Sequence, residues 1–348
     1  MPFEPPVDPR PARRTAIWGW VSFAMALALV VLVGYLAWVG YDGSGQAVDP
    51  PSPSTDCRTP ASAFGWPYEA INYDIASDGE LDAFSDRMDC PRQGTEAGTE
   101  LTASDGIRIA GWYVPAADGA GPKGATVVLA HGYGSNKSDM LAWAEPLHDR
   151  YNLVLFDFRN HGQSSGDQTT VGVREARDLQ AVVDWVESAK QPTAIALLGV
   201  SMGGATAIVE AASDERVSAV ILDSIHATLA NALQARLERA GYPLSLPGAW
   251  SILLGGLLRT GEDMSSADPV QAIERYGERP VLIVTGGHDD AVGPHDAQDL
   301  LAAARSGGAQ AELKVCDAAG HAEAIEACST QYAEWVLDFL ERSLPTQP

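Results

Sequence analysis

The chain has 348 residues, 46% of them hydrophobic and 20% charged, with a formal net charge of −23. That apolar share is enough for a packed core and excludes a chain disordered by composition. The negative balance disfavours nucleic acid or an anionic membrane surface as the main partner, because both would repel it.

The first element is apolar. No charged residue occurs from Thr15 to Tyr41, and at about 1.5 Å of rise per residue this run exceeds a hydrocarbon core of roughly 30 Å. It predicts one transmembrane helix over 15–41, preceded by residues 1–14. Arg10, Arg13 and Arg14 come before the run and Asp42 and Asp49 after it. The positive-inside bias therefore places 1–14 in the cytoplasm and the body outside the cell membrane. Trp18, Trp20, Tyr35, Trp38 and Tyr41 lie toward the two ends, where amphipathic rings favour the interface. A cleaved signal peptide is the competing expectation, with "GSGQA" ending at Ala47 as the cleavable stretch, although such peptides usually have apolar cores of about 7 to 15 residues.

Residues 42–67 are rich in Pro, Ser and Gly and predict a semi-extended tether that holds the body, 68–348, off the bilayer. Cys57 and Cys90 flank the start of the body, and Cys316 and Cys328 lie near its end. In an oxidising compartment, Cys57 with Cys90 and Cys316 with Cys328 would each close a local loop. Four buried free thiols are the alternative. The cysteines form no CxxC pair, so their spacing does not suggest zinc.

From Glu100 onward, short β-rich runs alternate with helical ones. "ELTASDGIRIAGWYVP" predicts two strands joined at Ser104-Asp105-Gly106. "ATVVLAHG", "NLVLFDF", "AIALLGV", "VSAVILDS", "PVLIVTGG" and "AELKVCD" follow as compact apolar runs of strand length. Their hydrophobicity is continuous rather than alternating, which implies burial on both faces and a mainly parallel sheet flanked by helices, an α/β fold. One connection is longer than that rhythm allows. The interval over about 226–278 contains the apolar, Gly-rich "LPGAWSILLGGLLRTG"; it predicts a helical lid over a site, or else extra helices packed at the sheet edge.

Gly199-Val200-Ser201-Met202-Gly203 fits G-x-S-x-G, between a buried-strand run and the helical "MGGATAIVEAAS". That context predicts a nucleophile elbow with Ser201 at its tip. A serine hydroxyl needs a base, and of the seven histidines only His321 stands after the last strand run and before the terminal helix, the place of the base in the chain order Ser, acid, His. The acid should follow the penultimate strand, where Asp289 and Asp290 are adjacent. Either would hold the imidazole tautomer. The oxyanion donors are expected to be the backbone N–H of Met202 and, from "HGYGSNKSDM", that of Tyr133, with Gly132 and Gly134 permitting close approach. The cluster His288, Asp289, Asp290, His295 and Asp296 has ligand-type side chains without defined metal spacing, so no metal is expected.

"HGYGSNKSDM", "FDFRNHGQSSG", "GVSMGGATA", "GGHDDAVGP" and "AGHAEA" occur in this order over Glu100 to Leu344, and on them the chain resembles the α/β-hydrolase superfamily. Within it the chain looks like the serine aminopeptidase and acylglycerol-lipase-like branch. The resemblance implies Ser201 as nucleophile and His321 as base, with no cofactor. Its G-x-x-D-x-x-V-P pattern, counted from Gly286, implies Asp289 as the acid. Here Gly293 takes the usual proline place and Pro294 follows, which keeps Asp290 as an alternative. The expected activity is hydrolysis of an ester, or of a thioester or amide, through an acyl-enzyme. A peptidase would need a carboxylate that captures a free amine, for which Glu238, Glu262 and Asp263 are candidates. A non-catalytic binding protein on the same fold is the remaining expectation.

Overall fold

The computed structural model describes residues 10–50, 54–72, 100–117, 124–293 and 295–344, so Cys90 and Pro294 lie outside the described residues. A long helix α1 (Arg10–Val48) is followed by a short α2 (Pro60–Phe64), β1 (Glu69–Ile71) and β2 (Gly111–Val114). The body then alternates as the sequence predicts: β3 (Thr126–Ala130), α3 (Leu141–Ala144), β4 (Asn152–Phe156), α4 (Glu175–Trp185), β5 (Ile195–Val200), α5 (Met202–Ala211) and β6 (Val217–Asp223). After β6 come α6 (Leu229–Arg239), α7 (Ser245–Thr260) and α8 (Pro269–Arg275), then β7 (Pro280–Gly286), α9 (Asp296–Ser306), β8 (Gln310–Cys316), α10 (Ala324–Ala327) and α11 (Ser329–Ser343).

The strands form one sheet in the order β1-β2-β4-β3-β5-β6-β7-β8. β3 to β8 pair in parallel, while β1 and β2 add an antiparallel edge. This is the α/β-hydrolase fold. Every residue of β3, β4 and β5 is buried, as a sheet covered on both faces requires. One face packs Leu179, Val182, Ile208, Ile273 and Leu300 from α4, α5, α8 and α9. The other packs Leu141, Tyr332, Val336 and Phe339 from α3 and α11. The core is thus two apolar layers around a central sheet, and the carboxyl ends of β5, β6 and β7 converge on one edge of it.

Three expectations need correction. The apolar helix does not end at Tyr41; it runs on to Val48, with its last two turns packed in part against α7. A Cβ on Gly40 would lie 2.6 Å from Ser251 O, and one on Gly255 would lie 2.5 Å from Gly40 O, so the two helices meet backbone to backbone. Small residues permit that approach. The described part of the tether is packed on the body. Ser54 N–H donates to Gly134 O at 2.6 Å, Thr59 caps α2 through a reciprocal pair with Ser62, and Trp66 stacks on His148 with ring centroids 3.9 Å apart. Finally, the hairpin at Ser104-Asp105-Gly106 turns as expected, but its first strand is only a single bridge between Thr102 and Arg108, so β2 alone joins the sheet.

Candidate active site

Ser201 sits between the last residue of β5 and the first of α5, with φ 52° and ψ −118°, a conformation that costs on the order of 1–3 kcal/mol for a residue with a Cβ. The surrounding glycines show what holds it there. A Cβ on Gly199 would lie 2.4 Å from Gly204 N, and one on Gly203 would lie 2.2 Å from Ala130 O. Helix α5 therefore starts directly against β3 and β5, and Ser201 N–H is tied to Asp223 O on β6 at 2.8 Å. The chain has no room to relax, and the hydroxyl projects from the turn.

Three side chains from distant segments meet at this turn. Ser201 Oγ and His321 Nε2 are 3.0 Å apart, and His321 Nδ1 donates to Asp289 Oδ2 at 2.9 Å and Oδ1 at 3.1 Å. Asp289 is 3% exposed. Its Oδ1 also accepts from Ala291 N–H at 3.0 Å and Val292 N–H at 3.3 Å. Asp290 points elsewhere: it is 76% exposed and pairs with Arg239 of α6 at 2.9 Å. The geometry thus selects Asp289 of the two adjacent carboxylates. Among the described residues no group of three His, Cys, Asp or Glu side chains stands close enough to hold a metal.

The loop carrying His321 is fastened at both ends. Cys316, the last residue of β8, is disulfide-bonded to Cys328 at the start of α11, twelve residues on. Cys57 is also disulfide-bonded, and Cys90, its expected partner, lies outside the described residues. Ser224 Oγ accepts from Ala322 N–H at 3.0 Å and donates to Asp223 Oδ1 at 3.0 Å. Asp223 Oδ2 in turn accepts from Trp143 Nε1 and Tyr332 Oη, each at 3.0 Å. Burial raises the Asp223 carboxyl above its usual range. This support is not evident in the sequence beyond the Asp-Ser pair, Asp223-Ser224, that ends a buried strand run.

On the other side of Ser201 lies the loop after β3. A Cβ on Gly132 would stand 3.5 Å from that of Ser201. No acceptor among the described residues takes the N–H of Tyr133 or Met202. Two neutral histidines hold this loop. His161 Nε2 accepts from Gly134 N–H at 3.0 Å while its Nδ1 donates to Arg159 O at 2.8 Å. His131 Nδ1 donates to Gly132 O at 2.7 Å, and its Nε2 accepts from Phe158 N–H at 3.0 Å. Burial, then the neighbouring His161 ring, pushes His131 down to about 3. Below the loop, Lys137 and Asp157 form a buried ion pair of 2.5 Å.

A cavity of about 290 Å³ opens above Ser201. Val171, Leu229, Leu233, Leu253 and Met264 make it mainly apolar, and Ser201 and His321 line its floor. The interval over 226–278 supplies its roof, mainly through α6 and α7. Ala47 of α1 lines it too, and the Tyr133 hydroxyl donates to Gln46 O. His226 is a further lining residue whose Nε2 is buried without a hydrogen-bond partner; burial and His321 push it down to about 4. Glu238, Glu262 and Asp263 do not line the cavity. Glu238 accepts from Gln234 and Ser245, Glu262 pairs with Arg174, and Asp263 caps a turn.

Comparison with known proteins agrees with the architecture. Residues 125–279 match the family described as alpha/beta hydrolase fold. Over 223 residues the chain is 28% identical to the uncharacterized protein YfhR of Escherichia coli O157:H7, covering 59% of this chain and 78% of that one. Among solved structures, the Pyrococcus furiosus esterase Pf2001 superposes with a TM-score of 0.64 at 24% identity, over 86% of this chain and 99% of that one. The Pyrococcus horikoshii acylaminoacyl peptidase gives 0.57 at 15% identity, over 72% and 41%. At these identities the two solved structures speak to the fold.

Proposed function

The chain has the α/β-hydrolase fold, and from that premise we propose that it is a membrane-anchored serine hydrolase of carboxylic esters, facing outward from the cell membrane. One observation carries this reading: Ser201, on a strained elbow, lies 3.0 Å from His321 Nε2, while Asp289 holds His321 Nδ1 at 2.9 Å.

Ser201 Oγ attacks the ester carbonyl as His321 Nε2 takes its proton. Asp289 fixes the tautomer that presents Nε2 as acceptor and stabilises the imidazolium that forms. The tetrahedral oxyanion is met by the N–H groups of Met202 and Tyr133, interactions of a kind worth about 3–4 kcal/mol each elsewhere. His321 then protonates the leaving alkoxide, and water repeats the sequence to release the acid and restore Ser201. The apolar cavity suits an acyl chain.

The mainly apolar lining of the cavity over Ser201 favours an ester. An aminopeptidase activity is disfavoured because no acidic residue among the described residues lines the cavity to take a free amine. In the anchored reading, α1 crosses the membrane once with Arg10, Arg13 and Arg14 on the cytoplasmic side. Its apolar segment, from Trp18 onward, is long enough to span and mostly unburied. Hydrolysis of p-nitrophenyl esters by the purified full chain tests the chemistry: turnover that disappears in Ser201→Ala and His321→Gln is expected, and retained turnover in either contradicts it. Protease added outside spheroplasts is expected to digest the body; a protected body contradicts the orientation.

A further inference from the structure

The hairpin made by α6 and α7 has a composition unlike the rest of the chain. From Ala240 to Leu258 no residue is charged, with Arg239 and Arg259 as the flanks, in a protein with net charge −23. Its outer side is apolar and uncovered: Leu244, Leu246 and Leu254 are exposed, Trp250 is 54% exposed and Leu258 is 79% exposed. A solvated helix does not carry such a face without a partner.

The neighbour of this face identifies that partner. α7 runs beside α1 in the same direction, with Gly248 against Val39 and Arg259 reaching the Tyr41 carbonyl and Ser44 Oγ, each at 2.9 Å. The hairpin tip is tied lower down: Tyr35 Oη donates to Pro243 O at 2.6 Å, and Trp38 stacks on Tyr242 with centroids 6.0 Å apart. Tyr35 and Trp38 belong to the apolar run of α1. If that run crosses the bilayer, the tip sits at the same depth, among outer-leaflet lipids. Trp250 and Tyr242 are the ring types that favour this zone.

Two adjoining cavities lie between that depth and the nucleophile. A second cavity of about 200 Å³ between α1, α6 and α7 begins at Trp38 and Tyr242. It shares Ala47, Leu233, Arg236 and Ile252 with the cavity over Ser201. Along α1, Ala47 lies about 18 Å from the level of Tyr35 at 1.5 Å per residue, a distance that a long acyl chain spans. The geometry points to the α6–α7 hairpin as a membrane-seated element, its tip in the outer leaflet, that delivers acyl esters resident in that leaflet to Ser201 along the α1 seam. This deepens the proposed function and rests on α1 as a membrane span.

The test separates the three readings. The full chain, reconstituted in phosphatidylcholine vesicles, carries an environment-sensitive NBD label at Leu246→Cys or, as control, at the exposed Ala302→Cys on α9. Nitroxide-bearing phosphatidylcholine is expected to quench the label at position 246 and not at 302. A label at 246 that is not quenched, in protein that resists carbonate extraction, overturns the inference while leaving the span intact. Release by carbonate removes the span itself. Failure to cleave soluble p-nitrophenyl butyrate counts against the hydrolase reading alone, because quenching needs no turnover. The paired change Leu246→Glu and Trp250→Glu is expected to slow hydrolysis of vesicle-borne p-nitrophenyl palmitate by about tenfold or more while soluble butyrate hydrolysis stays within about twofold, since only the first depends on interfacial burial. Equal effects on the two substrates, or none on palmitate, contradict the inference.

Discussion

The elbow beneath Ser201 and the seam between α1 and α7 are both glycine-built, yet the glycines serve opposite ends. At the elbow, Gly199, Gly203 and Gly204 let backbone press on backbone so that one residue is held in an unfavourable conformation. At the seam, Gly40 and Gly255 let two unstrained helices approach closely. The first arrangement stores strain at Ser201; the second joins the long apolar helix to the body. The end of α1 is consequently part of the site, through Ala47 in the cavity wall and the Gln46 carbonyl on the Tyr133 hydroxyl.

The sharpest separation of the two regions is functional. Ser201→Ala is expected to lower kcat by at least about 10⁴-fold with the seam unchanged, as read by ester turnover and by unfolding of the variant. Asp289→Asn should cost about 10³- to 10⁴-fold, because His321 would lose the acceptor that fixes its tautomer. Its neighbour Asp290→Asn, whose carboxylate faces Arg239 at the surface, should change kcat by less than about threefold, in line with an exposed pair of little net worth. Equal losses at the two positions would erase the distinction between them.

Stability distinguishes the regions next. Cys316→Ser is expected to lower stability by about 3 kcal/mol by freeing the short loop that bears His321; turnover should fall with it as His321 drifts. Gly255→Leu should cost about 1–3 kcal/mol by overpacking the seam, measured by thermal unfolding in detergent, yet leave the Ser201 hydroxyl reactive. If Gly255→Leu instead abolished reactivity at a temperature where the chain is folded, the seam would belong to the chemistry and not only to the anchor.

The smallest effect is in pH. His226 is held neutral by burial, with its pKa pushed down to about 4. Between about pH 6.5 and 4 the unfolded chain therefore takes up a proton that the folded chain refuses. Its contribution is fully present above pH 6.5 and is lost as pH falls through that window, by up to about 1.4 kcal/mol per pH unit. Urea unfolding at pH 7 and pH 5 should show a smaller difference in His226→Gln than in the unaltered chain. An unchanged difference would mean that His226 is protonated in the fold.

What the sequence discloses follows the same division. The strand runs, the elbow at Ser201 and the order of Asp289 and His321 are legible because each depends on a few adjacent residues: continuous apolarity, a glycine pair, a turn after a strand. The choice between Asp289 and Asp290 is not local. It is settled by His321, 32 residues on, which meets Asp289, while Asp290 faces Arg239 at the surface. The extension of α1 to Val48 was hidden for a similar reason: "DGSGQAV" has the composition of a linker, and only contact with α7, more than two hundred residues later, makes it helix. Asp223 and Ser224 likewise look like ordinary strand-end residues until the loop of His321 returns to them. Short-range covalent geometry is written in the residues themselves, whereas close helix approach and buried polar partners depend on where the chain comes back.

The proposed chemistry depends on Ser201 as an activated nucleophile. The most direct measurement treats the purified full chain with a fluorophosphonate and locates the adduct by peptide mass spectrometry. A single covalent adduct on Ser201, absent in Ser201→Ala and strongly slowed in His321→Gln, is the expected result; an unlabelled folded protein, or labelling that persists in Ser201→Ala, would contradict it.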